Sequence, residues 1–163
     1  LLGFAKHVDI QREEIDLGRL IKGVLGFLEK EAAYRSLQVT FHIEEGVPTI
    51  ESDRGQLQQV FLNIVNNAFA AVEDGGSIRI SIASADPDNV AISVCDNGIG
   101  IEEDDLKHLF EPFFTTKKEG GTGLGLSITY GIVQKLGGKT RVTSKPGEGT
   151  CFIVILPLRW KNA

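Results

Sequence analysis

The sequence predicts an α+β fold, a two-layer sandwich in which three helices pack on one mixed, mainly antiparallel sheet of about five strands. Three observations favour it: three stretches carry apolar residues at helical spacing, several runs alternate apolar and polar residues, and turn residues separate those runs in pairs. With 163 residues, of which 42% are hydrophobic, the chain can form one well-packed domain but not two of typical size.

The first elements lie near the N-terminus. Glu13 to Leu17 is expected to form a short strand, and Asp16 is expected to cap a first helix that runs to about Tyr34. Apolar residues in this helix recur at the i, i+3, i+4 and i+7 spacing of one buried face. The alternation around Phe41 then predicts a half-buried strand, which Gly46 and the proline two residues later end.

A second helix follows directly. Asp53 is its predicted cap, with Gln56 three residues on in the pattern of a capping box, and Gly75-Gly76 is expected to stop it. Two alternating runs centred on Ile80 and Ile92 then predict a hairpin, because turn residues separate them.

The last third of the chain begins with a long, mostly polar connection from Gly100 to Gly121, broken by one amphipathic turn around Leu106. A connection of this length in a compact domain is typical of a functional lid. A third helix is predicted from about Thr122 to Leu136. A final hairpin follows, with strands over residues 140–143 and 151–156.

Composition excludes several functions. The net charge of −5 argues against nucleic-acid binding, which needs a basic face for the phosphates. No window approaches the 18 or so apolar residues of a membrane span. Cys95 and Cys151, the two cysteines, are far apart and lack Cys-x-x-Cys spacing, so the sequence indicates neither a zinc site nor a disulfide framework. A reducing cytoplasm is the simplest location.

The first of three polar clusters is Asn63 and Asn67, which are four residues apart and therefore share one face of the second helix. A carboxamide oxygen is a suitable ligand for Mg²⁺ that already bridges phosphates, since it adds no negative charge. Either asparagine taken alone is more typical of an exposed helix residue.

The second cluster is Asp96-Asn97-Gly98-Ile99-Gly100, at the end of a predicted strand. A buried carboxylate there can accept a hydrogen bond from the exocyclic amine of adenine, whereas guanine presents a carbonyl oxygen at the same place. The glycines allow the backbone to pass close to a flat base. An ordinary Asp-Asn-Gly turn is the alternative interpretation.

The third cluster is Gly120-Gly121-Thr122-Gly123-Leu124-Gly125, immediately before a helix. Free N–H groups at a helix start form a phosphate cradle, and the helix dipole assists them. Lys117 and Lys118, just upstream, are expected to bring positive charge from the lid. A flexible hinge would have the same glycine-rich composition.

Taken in order, these segments resemble the N, G1, F and G2 boxes of sensor histidine kinases. The matching segments are Asn63-Ile64-Val65-Asn66-Asn67-Ala68, Asp96 to Gly100, Phe110-Glu111-Pro112-Phe113-Phe114-Thr115-Thr116-Lys117, and Gly121-Thr122-Gly123-Leu124-Gly125-Leu126. The ending Gly147-Glu148-Gly149-Thr150-Cys151-Phe152 also fits. The resemblance covers essentially residues 11–158, and Phe113 to Lys117 looks like the nitrogen-regulation type.

The resemblance implies the Bergerat fold of the GHKL group, which binds ATP under a lid. In such kinases the γ-phosphoryl group passes to a histidine Nε2 on a separate dimerising domain, for relay to a response regulator receiver domain. It implies Asn63, Asn67 and Lys117 as catalytic residues, with Asn67 on Mg²⁺. The expected contacts to ATP or ADP are Asn63, Asn67, Asp96, Gly98, Gly100, Ile101, Phe110, Phe114, Thr115, Thr116, Lys117, Gly121, Thr122, Gly123, Leu124, Gly125, Leu126 and Thr150.

Two departures from the family pattern stand out. Many members carry a basic residue three positions after the Mg²⁺-binding asparagine, where this chain has Ala70, and Lys117 is expected to compensate. The family's acceptor histidine lies in a His-Glu box on a helix, and His7, His42 and His108 lack that context. The chain is therefore expected to bind ATP without phosphorylating itself.

The implied organisation places the end of a dimerisation helix and a linker in residues 1–10 and the ATP-binding catalytic domain in residues 11–163. The acceptor is then expected upstream of Leu1. Dimerisation is assigned to those helices, so this chain is expected to be a monomer and the full-length protein a homodimer. The domain is expected in the cytoplasm.

Three other functions compete with this one. GHKL-type ATPases carry a glutamate as general base four residues before the Mg²⁺ ligand, where this chain has Asn63, whose amide cannot take a proton. A P-loop is disfavoured because Gly138-Lys139-Thr140 follows a helix and Val133 occupies the position of the required glycine. A catalytically silent nucleotide-sensing domain remains an alternative, since intact binding motifs do not prove turnover.

Overall fold

The computed structural model describes residues 11–111 and 125–160. Its elements, in chain order, are β1 (Arg12–Ile15), α1 (Leu17–Tyr34), β2 (Gln38–Ile43), β3 (Ile50–Asp53), α2 (Arg54–Ala71), β4 (Ser77–Asp86), β5 (Asn89–Asp96), α3 (Glu103–Leu106), α4 (Gly125–Lys135), β6 (Lys139–Lys145) and β7 (Gly149–Pro157). The predicted α+β class is confirmed.

The main sheet has five strands in the order β2-β4-β5-β7-β6. Strand β2 pairs with β4 in parallel, and the other three pairings are antiparallel. The sheet is thus mixed and mainly antiparallel, as the sequence predicts. Its buried face includes Ile78, Ile80 and Ile82 of β4, which alternate with outward residues and are at most 1% exposed.

Helix α2 is the central element of the helical layer and packs against α1, α4 and β5. Its buried stripe contains Leu57, Phe61 and Ile64, which recur at helical spacing. Because α2 also carries the first polar cluster, the same helix that fills the core positions the predicted functional residues.

Both predicted helix caps are confirmed. The Asp16 side chain accepts a hydrogen bond from the Arg19 backbone N–H at 3.2 Å, and Asp53 accepts from the Gln56 N–H at 3.1 Å. Such caps satisfy N–H groups that have no partner within the helix. For this reason the predicted starts of α1 and α2 agree with the structure.

The C-terminal end of α2 differs from the prediction. The helix ends at Ala71 rather than at Gly75. The Arg35 guanidinium donates to the carbonyl oxygens of Phe69 and Val72, both at 2.7 Å. These bonds satisfy carbonyl groups that the next helical turn would otherwise use, and the chain leaves the helix there.

Strand β3 is absent from the sequence-based prediction. It pairs antiparallel with β1 in a separate two-stranded sheet, with Ile15 opposite Ile50. Four residues are too few for the alternation to be distinguished from a loop before a helix cap. Helix α4 matches the predicted third helix from Gly125 onward, and residues 122–124 lie outside the described residues.

The sequence predicts no disulfide, and this prediction is wrong. Cys95 and Cys151 form a disulfide, with their Cα atoms 4.1 Å apart. The register of β5 against β7 places the two residues directly opposite each other. The two cysteines are 56 residues apart in sequence, and their pairing could not be predicted because it depends on strand register. Within residues 11–111 and 125–160, no helix is both long and apolar enough to span a membrane.

Candidate nucleotide site

Asp96 is the last residue of β5 and lies beside Ile78 on one side and Thr150 on the other. The residue is only 9% exposed, and its carboxylate accepts a hydrogen bond from the Gly98 backbone N–H at 2.8 Å. Among the described residues, no cationic side chain pairs with this aspartate. The carboxylate is therefore held by backbone donors and keeps acceptor capacity for a further donor.

Burial raises the pKa of the Asp96 carboxyl, because desolvation disfavours the charged form. Hydrogen bonds from the backbone N–H groups of Gly98 and Thr150 lower the pKa and offset part of that effect. A buried acid with a perturbed pKa is typical of a functional site, although structural networks also produce one.

The glycine-containing turn after Asp96 packs on the C-terminal end of α2. The Ile99 N–H donates to the Ala71 carbonyl oxygen at 3.1 Å. A Cβ atom added at Gly98 would lie 2.3 Å from that same oxygen, so a larger residue would separate the turn from the helix. The predicted need for glycine here has a specific physical cause, the close approach of two backbones.

Gly100 packs against the β6–β7 hairpin. Its φ is +75°, a conformation that favours glycine, and an added Cβ would lie 2.1 Å from the Lys145 carbonyl oxygen. The Gly147 N–H donates to the Ile99 carbonyl oxygen at 2.7 Å. The β6–β7 hairpin and the turn after Asp96 are thus in direct backbone contact.

A hydroxyl pair lies next to the turn of that hairpin. The Oγ1 of Thr150, a residue that is 4% exposed, lies 2.8 Å from the Ser144 Oγ. The Ser144 Oγ also accepts from the Ile101 N–H at 2.8 Å. Thr150 and Ile101 are among the predicted site residues, whereas Ser144 is not, because a serine in an alternating strand gives no local signal of these contacts.

Asn63 and Asn67 lie on the α2 face that leads to the glycine turn. Asn63, Asn67 and Ala71 recur every four residues, so they are stacked one turn apart along the helix. With a rise of about 1.5 Å per residue, Asn67 is about 6 Å and Asn63 about 12 Å along the axis from Ala71. The two carboxamides therefore extend the site away from Asp96.

The two asparagines have different surroundings. The Asn63 Oδ1 accepts from the Gln59 Nε2 at 2.8 Å, and its Nδ2 lies 3.2 Å from the Thr129 Oγ1 and 3.3 Å from the Gly125 carbonyl oxygen. The half-buried Asn67 carboxamide has no hydrogen-bond partner within the described ranges. Asn63 thus contacts α4, whereas Asn67 makes no such side-chain contact among the described residues.

Thr129 is a second residue near the site that the sequence motifs do not indicate. It is 1% exposed and supports Asn63 from the middle of α4. Through Gly125 and Thr129, the start of α4 lies against the asparagine face of α2, and the half-buried Leu126 follows Gly125 at this start. This places the described start of α4 next to Asn63.

Phe110, in the predicted lid segment, stacks on Tyr130 of α4 with ring centroids 5.1 Å apart. The other predicted nucleotide contacts from the lid and from the glycine-rich cluster before α4 lie outside the described residues. They are Phe114, Thr115, Thr116, Lys117, Gly121, Thr122, Gly123 and Leu124.

The described residues fit a Mg²⁺ ion that is held mainly by a nucleotide. No group of three or more histidine, cysteine, aspartate or glutamate side chains in the described parts of the chain could hold a metal ion. The Asn67 carboxamide, which has no hydrogen-bond partner among the described residues, suits a cation that takes most of its ligands from nucleotide phosphates and water.

Residues 52–159 match the family described as histidine kinase-, DNA gyrase B-, and HSP90-like ATPases. The chain is 41% identical over 155 residues to sporulation kinase E of Bacillus subtilis, covering 95% of this chain and 21% of that protein. It is 39% identical over 158 residues to the sensor histidine kinase ZraS of Escherichia coli, covering 97% of this chain and 34% of ZraS. The chain thus spans a fifth to a third of the length of these relatives.

Solved structures of histidine kinases share the fold. The nucleotide-free catalytic domain of histidine kinase ThkA matches with a TM-score of 0.84 and 31% identity, covering 91% of this chain and 97% of that one. Full-length ShkA in complex with AMPPNP matches with a TM-score of 0.85 and 27% identity, covering 96% of this chain and 33% of ShkA.

ThkA has also been solved in complex with the response regulator protein TrrA. That structure matches with a TM-score of 0.81 and 30% identity, covering 96% of this chain and 45% of the matched one. Because the family match covers well over half of the sequence and agrees with the observed fold, the chain belongs to the histidine kinase-, DNA gyrase B- and HSP90-like ATPases.

Proposed function

We propose that this chain binds Mg-ATP and transfers the γ-phosphoryl group to a histidine on a separate dimerisation domain, for relay to a response regulator. The observation that carries the proposal is the buried Asp96 carboxylate at the end of β5, joined through the glycine turn to the α2 face that bears Asn67. One end of this site suits a base with an exocyclic amine, and the other suits phosphates.

In this proposal the adenine amine donates to Asp96, and the triphosphate extends along α2 toward the start of α4. The Asn67 carboxamide would hold Mg²⁺, which neutralises charge on the phosphates when bound. Asn63 holds the start of α4 against α2 through Gly125 and Thr129. The chain's own contribution is therefore to orient the nucleotide, since phosphoryl transfer depends mainly on positioning and charge neutralisation.

Two relatives and one solved complex support the direction of transfer. Sporulation kinase E and ZraS are named as kinases, and ThkA was solved with a response regulator. The transfer breaks the bond between the γ-phosphorus and the oxygen that bridges the β- and γ-phosphates of ATP. That oxygen leaves with ADP while a phosphorus–nitrogen bond forms to the imidazole. The acceptor is proposed to lie on the dimerisation domain, with residues 1–10 as its helix end and linker and residues 11–163 as the catalytic domain.

A hydrolytic ATPase is the second candidate, because the family includes DNA gyrase B-like and HSP90-like proteins. Hydrolysis would require a general base close to the γ-phosphate to activate water. The position four residues before Asn67 holds Asn63, whose amide is engaged with Gln59 and α4 and cannot take a proton. This observation favours transfer to a positioned nucleophile over hydrolysis.

Calorimetric titration with ADP, GDP and Mg²⁺ tests the binding half of the proposal. We expect selective binding of ADP that Mg²⁺ strengthens. The Asn67→Ala variant should lose most of the Mg²⁺ effect, whereas the neighbouring exposed Asn66→Ala variant should bind within about twofold of the wild type. Equal Mg²⁺ dependence in both variants would contradict the role of Asn67.

Labelled ATP tests the transfer half. The chain is incubated with the dimerisation domain supplied as a separate polypeptide, and the expected product is phosphohistidine on that polypeptide. Release of inorganic phosphate without phosphohistidine would favour the ATPase. Binding of ADP with neither product would identify a silent nucleotide-sensing domain.

A further inference from the structure

A row of side chains crosses three strands of the main sheet beside the proposed adenine pocket. Asp96 on β5 is paired with Thr150 on β7, and Thr150 is paired with Ser144 on β6. Directly paired residues of antiparallel strands point to the same face of the sheet. Ser144 is thus the outermost member of a polar row that begins at Asp96.

The Ser144 hydroxyl makes three hydrogen bonds, each 2.8 Å long. Its partners are the Ile101 N–H, the Gly149 carbonyl oxygen and the Thr150 Oγ1. A hydroxyl group has one proton and can accept two hydrogen bonds. Three partners therefore use its full capacity.

The chemistry of these partners fixes the direction of each bond. The Ile101 N–H can only donate, and the Gly149 carbonyl oxygen can only accept. The single proton of Ser144 therefore goes to Gly149, and the remaining contact requires the Thr150 hydroxyl to donate to Ser144. The Thr150 oxygen is left with acceptor capacity only, and the register of β5 against β7 places it beside Asp96, whose carboxylate can only accept.

We propose that Ser144 is a positioning residue of the nucleotide site, which fixes the turn after Asp96 through Ile101 and commits the Thr150 hydroxyl to accepting hydrogen bonds from the bound base or its water. This inference rests on the proposed binding of an adenine nucleotide. Two acceptors side by side match the two N–H groups of an exocyclic amine, reached directly or through water.

Loss of the hydroxyl in Ser144→Ala leaves the Ile101 N–H without its partner and frees the Thr150 proton. Calorimetric titration of the 163-residue chain with ADP should then show affinity at least about tenfold weaker, because half-buried donors lose their acceptor. Ser144→Thr keeps a hydroxyl and should restore most of the affinity. The matched control is Ser93→Ala, which removes a hydroxyl from the opposite face of β5.

A double-mutant cycle with Thr150→Val separates positioning from a general loss of stability. If Ser144 acts partly through Thr150, the loss of ADP affinity in the double variant will be smaller than the product of the two single losses. Titrations are made well below the melting temperature of each variant, so that all variants are folded.

Three results would overturn the inference. The first is a loss of ADP affinity in the double variant that equals the product of the two single losses, and the second is ADP binding by Ser144→Thr as weak as that of Ser144→Ala. The third is a Ser144→Ala variant whose melting temperature falls while its ADP affinity stays within about twofold of the wild type. Absence of ADP binding by the wild-type chain is a different result, because it would remove the proposed function itself and the role of Ser144 with it.

Discussion

At the scale of single residues, the ionised Asp96 carboxylate is expected to lower the stability of the unliganded fold and to strengthen the proposed nucleotide binding. The carboxylate lies among backbone donors with little exposure to water, so burial raises its pKa. A raised folded-state pKa means that Asp96 contributes stability that is fully present below its unfolded-state pKa. That contribution is lost as the pH rises through the folded-state pKa.

Replacement of Asp96 by asparagine should separate the two effects. An asparagine side chain cannot ionise, so the free energy of unfolding of Asp96→Asn relative to the wild type should increase as the pH rises through the raised pKa and then level off. At neutral pH the variant should be more stable without ligand and bind ADP about tenfold or more weakly, since a hydrogen bond to a charged acceptor is lost. Urea unfolding at several pH values and calorimetry measure the two quantities.

Asp88→Asn is the control for this prediction. Asp88 lies in the exposed turn between β4 and β5, at the opposite end of β5 from Asp96. Its substitution should leave the ADP affinity unchanged. A stability difference for Asp96→Asn that shrinks as the pH rises would show that the carboxylate is not desolvated.

At the scale of secondary-structure elements, close contacts between backbones hold the site together. The turn after β5 lies against the end of α2 at Gly98 and against the β6–β7 hairpin at Gly100. Neither contact has room for a Cβ atom. The geometry of the proposed base pocket therefore depends on three elements that are distant in sequence.

A pair of glycine substitutions tests this dependence. Gly100→Ala places a Cβ atom against the Lys145 carbonyl oxygen at a residue with positive φ, so it should lower the free energy of unfolding by about 1–3 kcal/mol. Gly26→Ala lies on the exposed face of α1 with nothing within 4 Å, and it should raise that free energy by about 0.5–1 kcal/mol. Urea unfolding measures both changes. A change of the same sign in the free energy of unfolding of the two variants would contradict this dependence.

The elements also show what the sequence could predict. Asp16 and Asp53 marked the starts of α1 and α2, because a cap is a local interaction between residues three apart. Strand β3 could not be predicted, since its pairing with β1 joins residues about 40 positions apart. The early end of α2 could not be predicted either, because it depends on a hydrogen bond from Arg35 to the Phe69 carbonyl oxygen, 34 residues away in sequence.

At the scale of the whole molecule, strand register decides which distant residues meet. The pairing of β5 with β7 brings Asp96 to Thr150 and, one position earlier, Cys95 to Cys151. The cluster at Asp96 could be recognised along the chain, whereas Thr150 was indicated only through a family resemblance. Neither Ser144 nor the disulfide could be predicted, because register emerges only when the sheet is assembled.

The disulfide gives this register a measurable contribution to stability. It joins residues 56 positions apart, so it restricts the unfolded chain, and its loss should lower the free energy of unfolding by about 2–4 kcal/mol. Cys95 and Asp96 are consecutive in a strand and their side chains point to opposite faces. Reduction should therefore affect stability more than ADP affinity.

Urea unfolding with and without a reductant measures this contribution. The control is the double variant with Cys95→Ser and Cys151→Ser, which should be insensitive to reductant and similar in stability to the reduced wild type. A thiol titration of the denatured, unreduced chain completes the test. Two free thiols, together with equal unfolding midpoints with and without reductant, would show that strand pairing alone holds β5 against β7 in solution.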